Sequence, residues 1–254
     1  MKSFFAKTAL AAATVLCVGA AQAGVIDFES VDTTAAPFAP LINNGAGLTQ
    51  GPYFIGAYDG SGSSDPTSLV GSLIGGSTGG SCDSSVICPG GNSSAYYAVL
   101  NTGVVYVQGS SALTIEGFDA GFIAPSTGVP AGAFGLLAVE ADRTDGTFAI
   151  GVYSLSGPDA TGSTSFSSFV AADATYGLFA GSTGTITSGE VADIQFLEFY
   201  CSTGSLGSCT LDHSNLGQFA VDNIAFAVPE PSSWALMAFG LAVVGAAARR
   251  RRPV

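Results

Sequence analysis

The 254-residue chain has one histidine, one tryptophan and seven lysines or arginines against 19 acidic residues. Each scarcity excludes something. Lys2, Lys7 and Arg249 to Arg252 sit in the terminal segments, so from Gly24 to Val228 Arg143 alone stands against all the acids but Glu230. Such a surface repels phosphate backbones and anionic headgroups, which argues against nucleic acid as a partner and makes cations the natural counter-species. The single histidine, His213, lies in "TLDHSNLG" beside Asp212 and Ser214. Neighbours in a loop do not take the mutual geometry of nucleophile, base and orienting group, and no Gly-x-Ser-x-Gly elbow is present. Zinc chemistry lacks ligands. The glycine string "GGSTGGS" is followed by no lysine, so it reads as a loop and not as a phosphate cradle. Paired carboxylates for glycoside hydrolysis are conceivable among so many acids, but only Arg143 could organise substrate, and Trp234 lies outside the body. The expectation is a protein that is not an enzyme.

Both ends read as targeting segments. Lys2 and Lys7 give a positive start, Thr8 to Ala20 is almost entirely apolar or small, and Ala21-Gln22-Ala23 has the small-x-small pattern of a signal peptidase site. Residues 1–23 are thus a signal peptide cut after Ala23. Cys17 does not read as a lipidation site, because Leu16 precedes it where a small residue is needed. The other four cysteines fall into local pairs, Cys82 with Cys88 and Cys201 with Cys209, each in a Gly/Ser-rich loop. Local disulfides are the favoured connectivity in an oxidising setting, and neither spacing suits a zinc knuckle. Closures this short contribute roughly 2.5 kcal/mol each, so they brace loops and do not create the core.

Residues 24–228 contain no charge run or proline-rich linker and read as one domain. "VIDFE", "GPYFIGAY", "AYYAVL", "VVYVQ", "ALTIEGF", "GLLAVEA", "GTFAIGVY", "SFSSFV", "YGLFA", "IQFLEFY" and "FAVDNIAF" are short and rich in aromatic and β-branched residues, with Gly, Ser, Pro, Asn or Asp between them. Around ten strands without a convincing helix predict an all-β fold, a single jelly-roll-like β-sandwich. The clearest hairpin turns at Asp145-Gly146, after which Phe148, Ile150 and Val152 form the larger apolar face, the one expected to meet the core. Gly60 to Asn92 is too rich in Gly and Ser to pack well and reads as a long surface excursion clipped by Cys82 and Cys88. "STGVPAGAFG", with Pro130, marks an edge or crossover.

Residues 229–254 join Pro229-Glu230-Pro231, an apolar run from Trp234 to Ala248, and Arg249, Arg250, Arg251 and Arg252. A helix over that run measures about 22 Å against a hydrocarbon core of roughly 30 Å, so it just spans a bilayer if the arginines snorkel. The arginines mark the cytoplasmic end and place the body on the far side. A plain C-terminal anchor has the same span; the two prolines directly before it hold the junction extended, the shape a membrane-embedded protease requires. This tail resembles the PEP-CTERM sorting signal, in which a Pro-Glu-Pro motif, a short transmembrane segment and an arginine cluster are recognised by an exosortase. The resemblance covers about Val228 to Arg252. It implies processing by signal peptidase and exosortase, an inner-membrane-anchored precursor, and delivery to the cell surface or extracellular matrix of a bacterium that makes exopolysaccharide. The body also looks weakly like those found on such proteins, opening with an "IDFE"-like strand and closing with "VDNIAF".

Three roles for the body stay open. It is a structural protein of the surface or matrix, or a binding module for carbohydrate or another extracellular ligand, or, more remotely, an ice-binding protein. Tyr53, Tyr58, Tyr96 and Tyr97 are the stacking candidates for a sugar, against the alternative that they fill the core. Ice binding needs ranks of threonine, and "TIT" at Thr185 to Thr187 is the single such triplet. A possible structural calcium is the one cofactor expectation. Asp27 and Glu29 flank Phe28 on the first strand, where alternation sets both on one face, and Asp222 lies in the last strand, so if first and last strands are neighbours these acids join backbone carbonyls as calcium ligands.

Overall fold

The structure, a computed structural model, describes residues 24–31, 40–76, 86–130, 132–211, 216, 218–227 and 240. Gly24–Ala227 forms one compact unit of two antiparallel sheets. Numbered in chain order, the first sheet holds β1 (Gly24–Ile26), β2 (Leu41–Asn43), β5 (Leu69–Ile74), β6 (Val86–Ile87), β7 (Tyr96–Val99), β9 (Ile115–Pro125), β12 (Phe166–Val170) and β15 (Gln218–Phe226). The second holds β3 (Gly47–Gln50), β4 (Tyr53–Asp59), β8 (Gly103–Leu113), β10 (Phe134–Arg143), β11 (Phe148–Leu155), β13 (Val191–Cys201) and β14 (Cys209–Thr210). The strand order is β12-β9-β15-β7-β5-β2 in the first and β11-β10-β13-β8-β4-β3 in the second. This is the expected all-β sandwich.

The inner faces meet through a core that runs from Ile26 and Phe28 to Phe226. Phe118 of β9 stands edge-on to Tyr153 of β11 and Phe196 of β13, with ring centroids 5.0 and 5.3 Å away. Phe169 of β12 stacks on Phe118 from the same sheet at 5.4 Å. Each such pair is worth about 0.5–1.5 kcal/mol beyond its buried area, so this group ties sheet to sheet at one end of the core.

Three expectations are corrected here. Leu69–Ile74, inside the supposed excursion, is the fully packed strand β5, with Val70, Leu73 and Ile74 buried. Its Gly71 looks like loop composition but is a packing requirement: a Cβ there would come within 2.5 Å of the Tyr97 hydroxyl. "YGLFA" (176–180) forms turns and no strand. The Asp145-Gly146 hairpin forms, with Gly146 at φ +82°, but the core face of β11 is Ala149, Tyr153 and Leu155. The bulkier Ile150 and Val152 instead pack outside the sheet with Leu136, Ala138 and Cys201. Tyr153 supplies the volume that the core needs there, which frees the greasy side for an outer cluster.

Candidate functional site: a tyrosine and carboxylate face

The outer face of the second sheet is covered only in part. On the uncovered side, strand pairing sets Glu140, Gln195, Tyr106 and Gly56 in one row, and Asp142, Asp193, Gln108 and Phe54 in the next. Gly56 is the key to the surface. A Cβ there would lie 2.3 Å from Tyr106 Cζ, so the Tyr106 ring occupies the slot a side chain would fill. That ring sits between Phe54 and Tyr58, with centroids 6.0 and 6.1 Å away, and Phe54 and Tyr58 are each 37% exposed. Three rings thus form one platform on neighbouring strands.

A polar chain borders the platform. The Tyr58 hydroxyl donates to Gln195 Oε1 at 2.6 Å, and Gln195 Nε2 donates to Asp142 Oδ2 at 2.7 Å and Asp193 Oδ1 at 3.2 Å. Glu140 stands in the same group. Partial burial, then the charges of Asp142 and Asp193, push the Glu140 carboxyl up, and burial followed by the Asp142 charge does the same to Asp193. Among the described residues no cation relieves this crowding. Arg143, the next residue of β10, is committed elsewhere: its guanidinium donates to the carbonyls of Thr183, Thr185 and Ser188 at 2.8–3.0 Å and holds that loop. Rings that can cover apolar sugar faces beside acceptors for hydroxyl groups make a surface suited to a polyhydroxylated ligand.

Of the four tyrosines singled out in the sequence, Tyr58 alone is on this face. Tyr53 and Tyr97 are in the core, and Tyr96, on the opposite side of β7 from Tyr97, lies under a cluster with Cys88 and Phe166. Tyr106 and Phe54 were missed because the signal that reveals them, a ring lying over Gly56, exists only once β4 and β8 are in register.

The calcium candidates are placed differently from the expectation. First and last strands are indeed neighbours: β1 pairs with the end of β15, Ile26 opposite Ile224. But β1 stops at Ile26 and Phe28 takes φ +56°, so no strand alternation sets Asp27 and Glu29 on one face. Asp27 Oδ1 accepts from Gln50 Nε2 at 2.5 Å, while Glu29 Oε1 accepts the Ala95 amide at 2.7 Å. Asp222, completely buried, accepts from Asn92 Nδ2 at 2.7 Å, Ser94 Oγ at 2.5 Å and the Asn223 amide at 2.8 Å. Asn223, at φ +48°, reaches Asp119 Oδ2 at 2.8 Å. The place explains the pattern. β7 pairs with β15 over Phe219–Val221 and β1 takes over at Ile224, so the two partners meet end to end beside Asp222, where the register with β9 slips. Glu29 and Asp222 tie those strand ends together. Among the described residues no three acids, histidines or cysteines gather as a metal-holding group.

The Cys201–Cys209 disulfide is present, joining cysteines eight positions apart in sequence at the end of β13. Cys88 is disulfide-bonded, while Cys82, its expected partner, lies outside the described residues, as does His213. So do Ala21 and Ala23, and at the other end Pro229, Glu230, Pro231 and Arg249 to Arg252. Among the described residues no helix is long and apolar enough to cross a membrane.

Comparison with known families decides the tail. Residues 227–252 match the family model of the PEP-CTERM protein-sorting motif. The chain carries a PEP-CTERM sorting motif. No curated protein sequence matches the chain. Among solved structures, a DUF4465 family protein from Bacteroides caccae aligns with 82% of this chain and 99% of its own, at 10% identity and a TM-score of 0.43. The PEP-CTERM motif implies an exported, membrane-anchored precursor that exosortase processes. It begins at Ala227, directly after β15, and the Ala227 amide still donates to the Thr114 carbonyl at 2.7 Å. The strand that carries the Asp222 junction therefore leads into the PEP-CTERM segment without a linker.

Proposed function

We propose that the chain is a structural protein of the bacterial surface or extracellular matrix, without catalytic activity, made as an inner-membrane-anchored precursor and released to the exterior by exosortase. The PEP-CTERM motif carries this reading. The sandwich and its disulfide supply a body suited to an oxidising exterior among exopolysaccharide. Mass spectrometry of the exported species tests it: the expected product begins near Gly24 and ends close to Pro229-Glu230-Pro231, and deletion of the exosortase leaves the longer form. Arginines 249–252 retained on the exterior species would reduce the tail to a plain anchor.

The ring platform favours a second reading, a carbohydrate-binding module. Here the Phe54, Tyr58 and Tyr106 rings contact a sugar face and Gln195, Asp142, Asp193 and Glu140 accept its hydroxyls. A glycan screen with the exported protein tests this; saturable binding lost in Tyr58→Ala and Tyr106→Ala supports it, and no binding at millimolar ligand leaves the structural role. Among the described residues ice binding has no comparable surface: Thr185 and Thr187 lie in a loop and hydrogen-bond each other at 3.0 Å, so they build no ranked threonine face.

A further inference from the structure

One buried carboxyl belongs neither to the outer face nor to the strand-end junction. Glu198 lies on the inner side of β13, where alternation also sends Ile194, Phe196 and Tyr200. It is 4% exposed, and neither carboxyl oxygen has a hydrogen-bond partner. In the pairing with β10 it stands opposite Leu137. Its tip lies over Gly135, where a Cβ would come within 1.9 Å of Oε1 and 3.0 Å of Phe122 Cδ2 from the facing sheet. Glycine at 135 makes the space that the carboxyl occupies.

Among the described residues the surroundings offer nothing to an anion. β10 contributes Gly135 and Leu137, β9 contributes Phe122, and β8 contributes Val105, paired with Phe196; none of these titrates. On β13 itself Tyr200 is the titratable neighbour on the same face. Burial alone moves the Glu198 carboxyl, and it moves it well above its ordinary 4.5. An acid with neither water nor a donor is stable in such a place only while it keeps its proton.

We propose that Glu198 is a pH sensor built into the sandwich: neutral, it lets the two sheets close, and ionised, it opens them, so that the body loosens as its surroundings turn alkaline. An exported body meets ambient pH directly, so the device acts where the protein resides. The folded chain holds a proton that the unfolded chain gives up near the ordinary glutamate value. The resulting stability is complete below that value and is lost as pH rises to the folded one, the unfolding constant growing about tenfold per pH unit across the interval.

Urea unfolding of the full chain from pH ~5 to ~9, compared with Glu198→Gln, reads this directly. The ratio of wild-type to variant unfolding constants is expected to climb about tenfold per pH unit and then level off. Parallel profiles would overturn the proposal. If Glu198→Gln does not fold, Glu198→Met serves as the comparison that cannot ionise. Carbon-13 carboxyl NMR of the wild type gives a second readout: a Glu198 resonance that titrates in the ordinary glutamate range would also overturn it.

Discussion

Asp222 and Glu198 are both buried acids in the middle of long strands, 0% and 4% exposed, and their surroundings are opposite. Asp222 has four donors aimed at it, from Asn92, Ser94, the Asn223 backbone amide and, at a longer 3.4 Å, Asn223 Nδ2. Glu198 has none. Burial raises both carboxyls, and for Asp222 the hydrogen bonds from Ser94, Asn92 and Asn223 work against that rise. The difference teaches that burial alone does not assign a role to an acid. One satisfied by donors from distant segments is a fastener, whereas one left bare in a core responds to its medium.

The largest expected effect breaks the fastener. Asp222→Ala strands the donors from Asn92, Ser94 and Asn223 at the point where β7 and β1 meet along β15, and is expected to cost about 3–5 kcal/mol, read from the urea midpoint. Glu198→Met removes an acid that satisfies nothing, and is expected to be neutral or stabilising at neutral pH. Equal losses in the two variants would erase the distinction between them.

Gly135 sharpens the comparison, because it belongs to Glu198 alone. Gly135→Ala puts a methyl on the Glu198 carboxyl and against Phe122, and overpacking of this kind costs about 1–3 kcal/mol. In a Glu198→Ala background the space is empty, so the same substitution should cost about 1–2 kcal/mol less. A thermal-denaturation cycle over the four proteins measures that coupling. A cycle with no coupling would mean that the carboxyl moves aside freely, and with it the tight setting that isolates Glu198 would be gone.

The sandwich was legible because aromatic and β-branched segments of strand length alternate with Gly, Ser and Asn, and the Asp145-Gly146 turn announces itself. What stayed hidden depends on register. In "IQFLEFY" both alternations are apolar enough to face a core, so nothing local says that Glu198 goes inward while Leu197 and Phe199 go outward. β5 was disguised by Gly71 and Ser72, and the smallness of Gly71 answers to Tyr97 on another strand. Asp27, Glu29 and Asp222 stood out as acids near the two ends of the domain, but the partners that give Asp222 its role, Asn92 and Ser94, are about 130 residues away in sequence. The Tyr106 platform likewise needs Gly56 placed opposite it. Side-chain type was readable; which side chain completes another was not.

The smallest effect extends the comparison to acids that are only half-buried. Glu140 and Asp193 have raised carboxyls, by partial burial first and then by the charge of Asp142. A raised folded-state value means that stability is present while these groups are protonated and is lost as pH rises through that value. Asp142→Asn removes the charge yet keeps an oxygen for Gln195 Nε2, so the Tyr58–Gln195 arm of the network survives. The variant should therefore match wild type in acid, where Glu140 and Asp193 are protonated, and exceed it at neutral pH. Solvent screening at a half-exposed face holds the gain below about 1 kcal/mol, or up to about 3 °C in melting temperature. Thermal melts of both proteins across the acid-to-neutral range decide it. A variant that melts lower at neutral pH would show that the Asp142 carboxylate anchors the face, as Asp222 anchors the junction, and that the crowding of the three acids is outweighed by what they hold.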